Sequence, residues 1–535
     1  MPTTDRAGNG RITAHGGVEE LWSLRDDVLV ETGDDGSVSL TSRWGDLVIR
    51  RPGAVLRDSL HRMRLGPVSL ANVRELGDGS RAAALEHAAL LASLDRLQHL
   101  VVRSLRAADS EPVLLSAEPI SHRSGFRPRP LDPDVPVRMS RFAALASDGR
   151  YLRVESPLAL HRVWLFRPEA VSIFAHLARA RSAAAVAKLA LLPADLTLAA
   201  LSYLVAAGMV IEGETGDEGP VFAEETDPAL RLWSVPDLLF HTRSTLGRHD
   251  EDFGATYRFG DGPGPEPVVR RREGKRFPLF RPRLADLLAA DPPLTAVLES
   301  RRSARRFDSS LLTARDLGEF LYRAVRIRAL HGAGGSAPGD AATQDRPYPA
   351  GGGIHELEFY VTVGACAGLE RGVYVYDAEA HELVLVDGAP EPAGHLLRFA
   401  RLAAGLEDDP PVLVTMTARF GRMFWKYSAM GYALTLKHVG VVMQTMYLVA
   451  HAMGLGACAV GSSEIEDTSR LLGTDWLAES GVGAMVVGRP PGGEGPSGFD
   501  PPARHGVNDP GWREECAGWS PDASYGADRD RRDDR

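Results

Sequence analysis

The amino-acid sequence predicts an α+β protein built from several domains, and three observations support this. The chain has 535 residues, which corresponds to about three or four domains of roughly 100–200 residues each. Hydrophobic residues make up 44% and charged residues 25%, as in soluble globular proteins. Strand-like and helix-like hydrophobic patterns alternate along the chain, and its 55 Gly and 36 Pro predict long loops between them.

Charge and cysteine content restrict the partners and the compartment. The net charge of −10 and the pI near 5.9 argue against binding to nucleic acid or to an anionic membrane surface. Cys366, Cys458 and Cys516 are too far apart in sequence to suggest a metal cluster or a disulfide framework, which favours a cytoplasmic location. The first 14 residues lack the apolar core of a signal peptide. The apolar stretch from His438 to Gly461 contains polar residues, which favours a buried helix and strand over a membrane span.

Two small modules are predicted at residues 20–125 and 136–215, each opening with a hairpin pattern. Helical patterns follow, including Ala82–Leu105 in the first module. In the second module one helix begins at Pro168 and another ends at Gly208. A hairpin, helices and a strand in this order resemble a winged-helix module, whose sheet edges can accept a peptide strand.

The third domain is predicted over residues 284–495, between a connecting segment at residues 216–283 and a disordered tail at residues 496–535. Strands are predicted at Glu356–Val363, Gly372–Tyr376, Glu382–Val386, Val412–Thr417 and Val482–Val487, and a long helix at Tyr432–Met453.

Two helix starts are predicted near the beginning of this domain. Asp291 before Pro292 is typical of a helix cap, with Leu294, Val297 and Leu298 on the buried face. Thr313-x-x-Asp316 is typical of a capping box.

Four arginines and a serine lie within the six residues from Arg301 to Arg306. Guanidinium groups this close can surround a phosphate with charge-assisted hydrogen bonds. Alternatively, they complement the dipole at the end of a helix and need no ligand. The cluster alone leaves both interpretations open.

Three consecutive glycines, Gly351 to Gly353, precede a predicted strand. They allow the backbone to approach a flat ligand and offer unblocked N–H donors, although an ordinary flexible loop would look the same. Further along the chain, the small residues from Gly454 to Gly461 indicate either room for a planar ring or tight helix–strand packing. Cys458 lies within them and is predicted to be an inert core residue.

Lys426 and Tyr427 are adjacent, just before the long apolar helix. An ammonium beside a phenol favours the phenolate and lowers the pKa of the phenol, which suits a general base. The alternative is a lysine that covers a core tyrosine without taking part in chemistry. The sixteen histidines show no HxxxH or HExxH spacing, so no metal is predicted.

In chain order these motifs resemble the nitroreductase-like flavoproteins, and within them the azoline dehydrogenases of the SagB/McbC/ThcOx type, which act in ribosomal-peptide natural-product pathways. The resemblance covers residues 135–490 and, more weakly, 20–125. The segments that carry it are Arg301–Phe307, Pro349–Gly353, Lys426-Tyr427, Gly440–Gln444 and Gly454–Gly456, and upstream Met139–Phe142, Glu155–Leu158 and Asp237–Ser244.

The resemblance implies an FMN-dependent homodimer with no metal. It implies that Lys426 and Tyr427 are catalytic. The residues that it implies for FMN are Arg301, Arg302, Ser303 and Arg305 at the phosphate and ribityl chain, Pro349, Ala350, Gly351 and Gly352 along the ring, and Gln444, Gly456, Ala457 and Gly461 around the rest. Ala350 replaces the usual Ser, and His355 stands where an aromatic residue, commonly Tyr, is usual.

The implied reaction converts a thiazoline or oxazoline in a precursor peptide to the azole, by loss of an α-carbon proton and of a ring hydride to flavin. The implied partners are that azoline-containing peptide and a cyclodehydratase complex. Two alternatives remain open: an NAD(P)H-dependent small-molecule reductase of the nitroreductase type, and a non-catalytic peptide-binding scaffold.

Overall fold

Two units, each with its own large sheet, make up the protein in the computed structural model. One extends to Glu251 and the other starts at Asp252. The structure describes residues 17–70, 81–108, 112–260, 265–308, 312–332, 341–462, 464–491 and 511–517.

The N-terminal unit contains an antiparallel sheet of seven strands. These are β1 (Val18–Leu24), β5 (Val68–Ser69), β6 (Val101–Ala107), β7 (Leu115–Pro119), β9 (Ala144–Ser147), β10 (Leu152–Glu155) and β11 (His161–Leu165). Their order is β5-β1-β6-β7-β11-β10-β9. Because β7 and β11 pair with each other, the predicted modules at residues 20–125 and 136–215 share one sheet instead of forming separate ones. The pairing hides strand edges that each module would otherwise expose.

A second, three-stranded sheet belongs to the first module and follows the predicted hairpin. Its elements are β2 (Leu29–Thr32), β3 (Val38–Ser42) and β4 (Gly45–Ile49), with helices α1 (Ala54–Leu65) and α2 (Arg81–Arg96) beside them. The predicted helix Ala82–Leu105 is too long. It ends at Arg96, because residues from Val101 onward pair along the whole of β1.

The second module has a three-stranded sheet in the order β12-β8-β13. Its elements are β8 (Pro136–Met139), α3 (Pro168–His176), β12 (Arg181–Ser182), α4 (Ala183–Leu189), α5 (Ala194–Ala206) and β13 (Val210–Glu212). Pro168 lies in the first turn of α3, and Gly208, at φ 77°, follows the end of α5, both as predicted. The winged-helix assignment of the two modules stays a prediction.

The C-terminal unit is built on an antiparallel seven-stranded sheet in the order β17-β22-β21-β20-β23-β26-β25. The strands are β17 (Arg276–Pro278), β20 (Leu357–Val363), β21 (Gly372–Asp377), β22 (Glu382–Asp387), β23 (Val412–Arg419), β25 (Gly456–Val460) and β26 (Glu479–Gly488). The helices α10 (Ala314–Val325) and α13 (Gly431–Ala452) share one hydrophobic cluster with the sheet, and α11 (Pro390–Ala404) shares another. The sheet therefore lies between helices, as expected when side chains alternate between its faces.

Shorter elements complete the two units. They are β14 (Glu214–Gly216), β15 (Gly219–Val221), α6 (Ala223–Thr226), α7 (Val235–Arg243), β16 (Gly254–Ala255), α8 (Leu284–Ala290), α9 (Leu294–Ser300), β18 (Ala329–His331), β19 (Thr343–Asp345), α12 (Phe420–Lys426), β24 (Tyr427–Ser428), α14 (Ile465–Leu472) and α15 (Gly511–Ala517).

α13 is the one helix among the described residues that is long and apolar enough to cross a membrane by length and hydropathy. Val442, Met446 and Ala450 on one face are fully buried in the core of the C-terminal unit. Outside this face, Leu436 and Val441 are exposed. β25, which follows α13, is largely buried. The prediction of a buried helix followed by a buried strand is therefore confirmed for the strand and for one face of the helix.

Three predicted features of the C-terminal half need correction. The predicted connecting segment at residues 216–283 is not one linker, because β16 and β17 pair with strands of the C-terminal unit. Asp291 does not cap α9, which follows Pro293; its carboxylate binds Arg323 instead. The predicted disordered tail, residues 496–535, lies mostly outside the described residues, but its described part forms α15, which contacts α9.

α9 begins after Pro293, two residues later than predicted, so only one of the three side chains that were predicted to be buried is buried. Val297 is buried, whereas Leu294 and Leu298 are 64% and 49% exposed. The capping box at Thr313 and Asp316 is present as predicted, with both reciprocal hydrogen bonds formed. Leu317, Phe320 and Leu321, which follow it in α10, have no exposed surface.

Candidate active site

The glycine loop and the Lys-Tyr pair lie together in the C-terminal unit. Pro349, which is exposed, and Ala350 lead into the loop, and Gly352 adopts φ 60° in the left-handed region that favours glycine. A Cβ built on Gly352 would lie 2.9 Å from Tyr427 Oη and closer still to Lys426 Nζ. Any side chain at this position would displace both polar groups. Gly352 is therefore the point where the loop and the pair meet.

The pair is positioned by a change from helix to strand between its two residues. α12 ends at Lys426, and Tyr427 opens β24, where it lies opposite Ala255 of β16. The N–H of Tyr257 donates to the carbonyl of Lys426 at 3.2 Å. One residue earlier, the hydroxyl of Thr256 is 2.6 Å from that of Ser428. Residues 254–257, predicted as connecting segment, thus hold the backbone of the pair.

Residues with a strained backbone conformation lie around the Lys426-Tyr427 pair. Among the described residues four that are not glycine have positive φ, and three of them are near the pair: Tyr257 at 51°, His355 at 45° and Ala429 at 58°. Such residues cost on the order of 1–3 kcal/mol each and cluster at functional sites. Lys426 Nζ lies 5.6 Å from the ring centre of Tyr427 and 5.7 Å from that of Tyr257. Sequence reasoning missed Tyr257, because nothing local distinguishes an aromatic residue in a predicted linker.

The loop is anchored to α13 by a buried histidine. The N–H of Gly351 donates to His438 Nε2 at 2.8 Å, and His438 Nδ1 is 2.8 Å from a carboxylate oxygen of Glu356. The N–H of Gly353 donates to the carbonyl of Ala350 at 3.2 Å. Two of the three N–H groups predicted as unblocked donors are therefore already used within the chain, which corrects that expectation.

The arginine segment runs beside β25 and the far half of α13. Arg301 stacks on the ring of Tyr447 at 4.8 Å, and Ser303 Oγ is 3.0 Å from the hydroxyl of Tyr447. The same hydroxyl accepts the N–H of Ala459 at 2.7 Å. Tyr447 therefore joins three elements, and sequence reasoning missed it. Its position three residues after Gln444, nearly one helical turn, is the signal that could have found it.

The charge state of this segment fits an anion. Neither Arg301 nor Arg305 is paired with a carboxylate in the part of the chain that the structure describes. Arg306 instead pairs with Glu407 at 3.0 Å. Half-buried guanidinium groups without acidic partners are typical of phosphate sites. The donor set therefore fits the phosphate of the cofactor that the resemblance implies.

The remaining predicted residues contribute differently. A Cβ on Gly456 would lie 2.6 Å from the Cβ of Ala304 and 3.2 Å from Phe307, so the space beside this glycine is filled by the chain and not left for a ring. Ala457 accepts the N–H of Ala304 at 2.9 Å and so supports the arginine segment. Gly461 and Gln444 are exposed, one after β25 and one on the outer face of α13.

Burial sets the protonation of groups behind the loop. It lowers the pKa of His355 to about 3, with a further contribution from Arg346, so His355 is neutral. Its ring meets Tyr348 edge-on at 5.0 Å. His355 therefore packs as an aromatic residue, which is the residue type expected at this position. Burial also raises the pKa of the Cys458 thiol, in agreement with an inert core cysteine.

Comparisons with known proteins agree with this geometry. A model of the nitroreductase family matches residues 298–489, and a model described as cyanobactin oxidase ThcOx matches residues 137–250. The putative nitroreductase MJ1384 of Methanocaldococcus jannaschii is 33% identical over 172 residues, which cover 32% of this chain and 78% of that protein. The chain belongs to the nitroreductase family, and it is an oxidoreductase of that family.

Two further relatives come from peptide natural-product systems. The trifolitoxin-processing protein TfxB of Rhizobium leguminosarum bv. trifolii is 29% identical over 144 residues, covering 26% of this chain and 39% of that protein. A chain of the E. coli microcin synthetase McbBCD complex with truncated pro-MccB17 bound is 19% identical, with 35% of this chain and 68% of that chain covered at a TM-score of 0.30. The family matches confirm the resemblance to azoline dehydrogenases.

Proposed function

We propose that this protein oxidises thiazolines or oxazolines in a ribosomally made peptide to thiazoles or oxazoles. The observation that carries the proposal is the convergence of Lys426 Nζ and Tyr427 Oη on Gly352. A small-molecule reductase does not require this arrangement, whereas azoline oxidation requires a base next to the surface on which the ring lies. The match of residues 137–250 to the cyanobactin oxidase model supports the same function.

The chain supplies the proton chemistry of this reaction. The azoline loses a proton from its α-carbon and a hydride from its ring methylene. Tyr427 is the base that takes the proton, and the ammonium of Lys426 stabilises the phenolate. Bound FMN supplies the two-electron acceptor.

The FMN site proposed here uses the residues that sequence analysis selected. Arg301, Arg302, Ser303 and Arg305 hold the phosphate and ribityl chain, and the pairing of Ser303 with Tyr447 supports this. Pro349, Ala350, Gly351 and Gly352 line the ring, while Gln444, Gly456, Ala457 and Gly461 complete the site or support it.

The peptide is proposed to bind through the N-terminal unit. β4 is an edge strand of its sheet, and beside it lies a groove of about 590 Å³ between β4, α1 and α2. Three arginines, Arg50, Arg51 and Arg96, line the groove together with apolar residues such as Val48, which is 58% exposed. An extended peptide could add to β4 by backbone hydrogen bonds and place apolar or acidic side chains in this groove.

Two protein partners are part of the proposal. A cyclodehydratase must form the azoline before this enzyme can oxidise it, so we expect the two enzymes to act as a complex. A homodimer is expected through the exposed apolar face of α13, which includes Leu436 and Val441. Light scattering that finds a monomer with bound flavin would contradict the dimer.

One observation favours a second candidate, an NAD(P)H-dependent reductase of small electrophiles. The relative with the higher identity is named a putative nitroreductase, and its match covers 32% of this chain. Steady NADPH oxidation in the absence of any peptide would favour this candidate.

The test is direct. Enzyme loaded with FMN is incubated aerobically with a synthetic peptide that contains one thiazoline, and the products are analysed by mass spectrometry. We expect the loss of two hydrogen atoms per ring and the appearance of thiazole absorbance. A yellow protein that leaves the thiazoline unchanged while it consumes NADPH would overturn the proposal, and a protein that binds no flavin would indicate a scaffold.

A further inference from the structure

His438 links a buried carboxylate to the backbone of the glycine loop, and its hydrogen bonds determine its tautomer. The N–H of Gly351 can only donate, so Nε2 of His438 is the acceptor and carries no proton. The proton is therefore on Nδ1, which donates to Glu356. Glu356 has no exposed surface and His438 is 6% exposed, so water does not compete for the contact between them.

We propose that Glu356 and His438 are positioning residues, which hold Gly352 against Lys426 and Tyr427 through the N–H of Gly351. The inference deepens the proposed function and rests on it for its activity readout. It assigns a role to two residues that none of the sequence motifs includes.

The reason is the short distance along the chain between the anchor and the reacting groups. Gly351 is held by His438, and a Cβ added to the next residue, Gly352, would lie within 3.0 Å of both Lys426 Nζ and Tyr427 Oη. With glycine at both positions the backbone has wide conformational freedom, so an external anchor must restrict it. A shift of about 1 Å in a reacting group can cost about 10²-fold in rate.

The experiment compares His438→Gln with His438→Leu. Glutamine keeps an acceptor for Gly351 and a donor for Glu356, whereas leucine provides neither. We expect His438→Gln to retain most of the azoline oxidation. His438→Leu should lose about 10²-fold at neutral pH. A matched control is His381→Gln, since His381 is also buried with two hydrogen-bond partners but lies at the β21–β22 turn.

A second readout does not depend on activity. Hydrogen exchange of a peptide that covers residues 349–354 should become faster in His438→Leu and stay slow in His438→Gln, in protein without substrate. Equal exchange in all three proteins, or azoline oxidation by His438→Leu at the wild-type rate, would overturn the inference. If the wild-type enzyme does not oxidise the azoline at all, the proposed function fails, while the exchange experiment still tests the anchor.

Discussion

The two ends of α13 differ in how the chain satisfies its polar groups. Near the first end, the N–H of Gly351, the imidazole of His438 and the carboxylate of Glu356 form a buried chain of hydrogen bonds. Near the other end, Tyr447 supports Arg301, whose charge has no carboxylate partner among the described residues. The chain itself organises the end near Lys426 and Tyr427, whereas we propose that a bound anion completes the arginine end. Tyr447 lies nine positions after His438, so the two residues are about 14 Å apart along the helix axis. This distance suits an elongated cofactor with a phosphate at one end.

The largest effect is expected at the reacting end. Tyr427→Phe removes the proposed base but keeps the ring, so azole formation should fall by about 10²–10⁴-fold. Flavin content and reduction by dithionite should not change, because neither requires a substrate proton. The measurement is the rate of thiazole formation at saturating peptide, with flavin absorbance as the control. A near wild-type rate would mean that Lys426 and Tyr427 have only a structural role. The proposed difference in function between the two ends of α13 would then be wrong.

Gly352→Ala tests the contact between the loop and the pair. The added Cβ would overlap with Lys426 Nζ and approach Tyr427 Oη at 2.9 Å, so we expect a loss of about 10²-fold in azole formation. The control is Gly405→Ala, since Gly405 has φ 65° but open space around it. Both variants carry the same backbone strain, and only the first should lose activity. Equal losses would mean that strain and not contact is responsible.

Substitutions at the arginine end should weaken the binding of FMN and should not change the rate of the chemical step. Arg301→Ala removes charge-assisted hydrogen bonds to a phosphate, each worth about 1.5–3 kcal/mol, so the Kd for FMN should rise by at least tenfold. Arg306→Ala is the matched control, because Arg306 already pairs with Glu407 at the surface. Fluorescence titration of the apoprotein with FMN measures both. If the two variants bind FMN equally, Arg301 has only a helix-end role.

The smallest effect concerns stability at low pH. The folded protein holds the pKa of His355 at about 3, while an unfolded histidine titrates near about 6.5. Below that pH the unfolded chain binds a proton that the folded chain does not, so stability falls by up to about 1.4 kcal/mol per pH unit as the pH decreases. His355→Asn, which does not titrate and tolerates positive φ, should flatten this slope. Denaturant midpoints between pH 5 and pH 7.5 provide the measurement.

His161 offers the same test in the other unit. Burial lowers its pKa to about 4, so His161→Asn should reduce the pH dependence of the N-terminal unit and leave that of the C-terminal unit unchanged. A single transition that responds equally to both variants would show that the two units unfold together.

The sequence alone determined the elements whose information is local. The capping box requires only two residues, Thr313 and Asp316. The strands and the long helix of the C-terminal unit follow from hydrophobic periodicity over 5 to 22 residues. The Arg301 cluster and the Lys426-Tyr427 pair were also visible, because adjacent residues with unusual chemistry need no partner to be noticed.

Only the tertiary structure decided the features that depend on distant residues. The predicted helix Ala82–Leu105 includes residues 101–105, which instead form part of β6, because β1 offers a complete pairing partner about 80 residues earlier. Asp291 forms an ion pair with the partly buried Arg323 and does not cap a helix. Tyr257, Glu356, His438 and Tyr447 each join the site through a partner that is more than 80 residues away in sequence. Their roles come from hydrogen bonds and packing between elements, which short-range patterns do not encode.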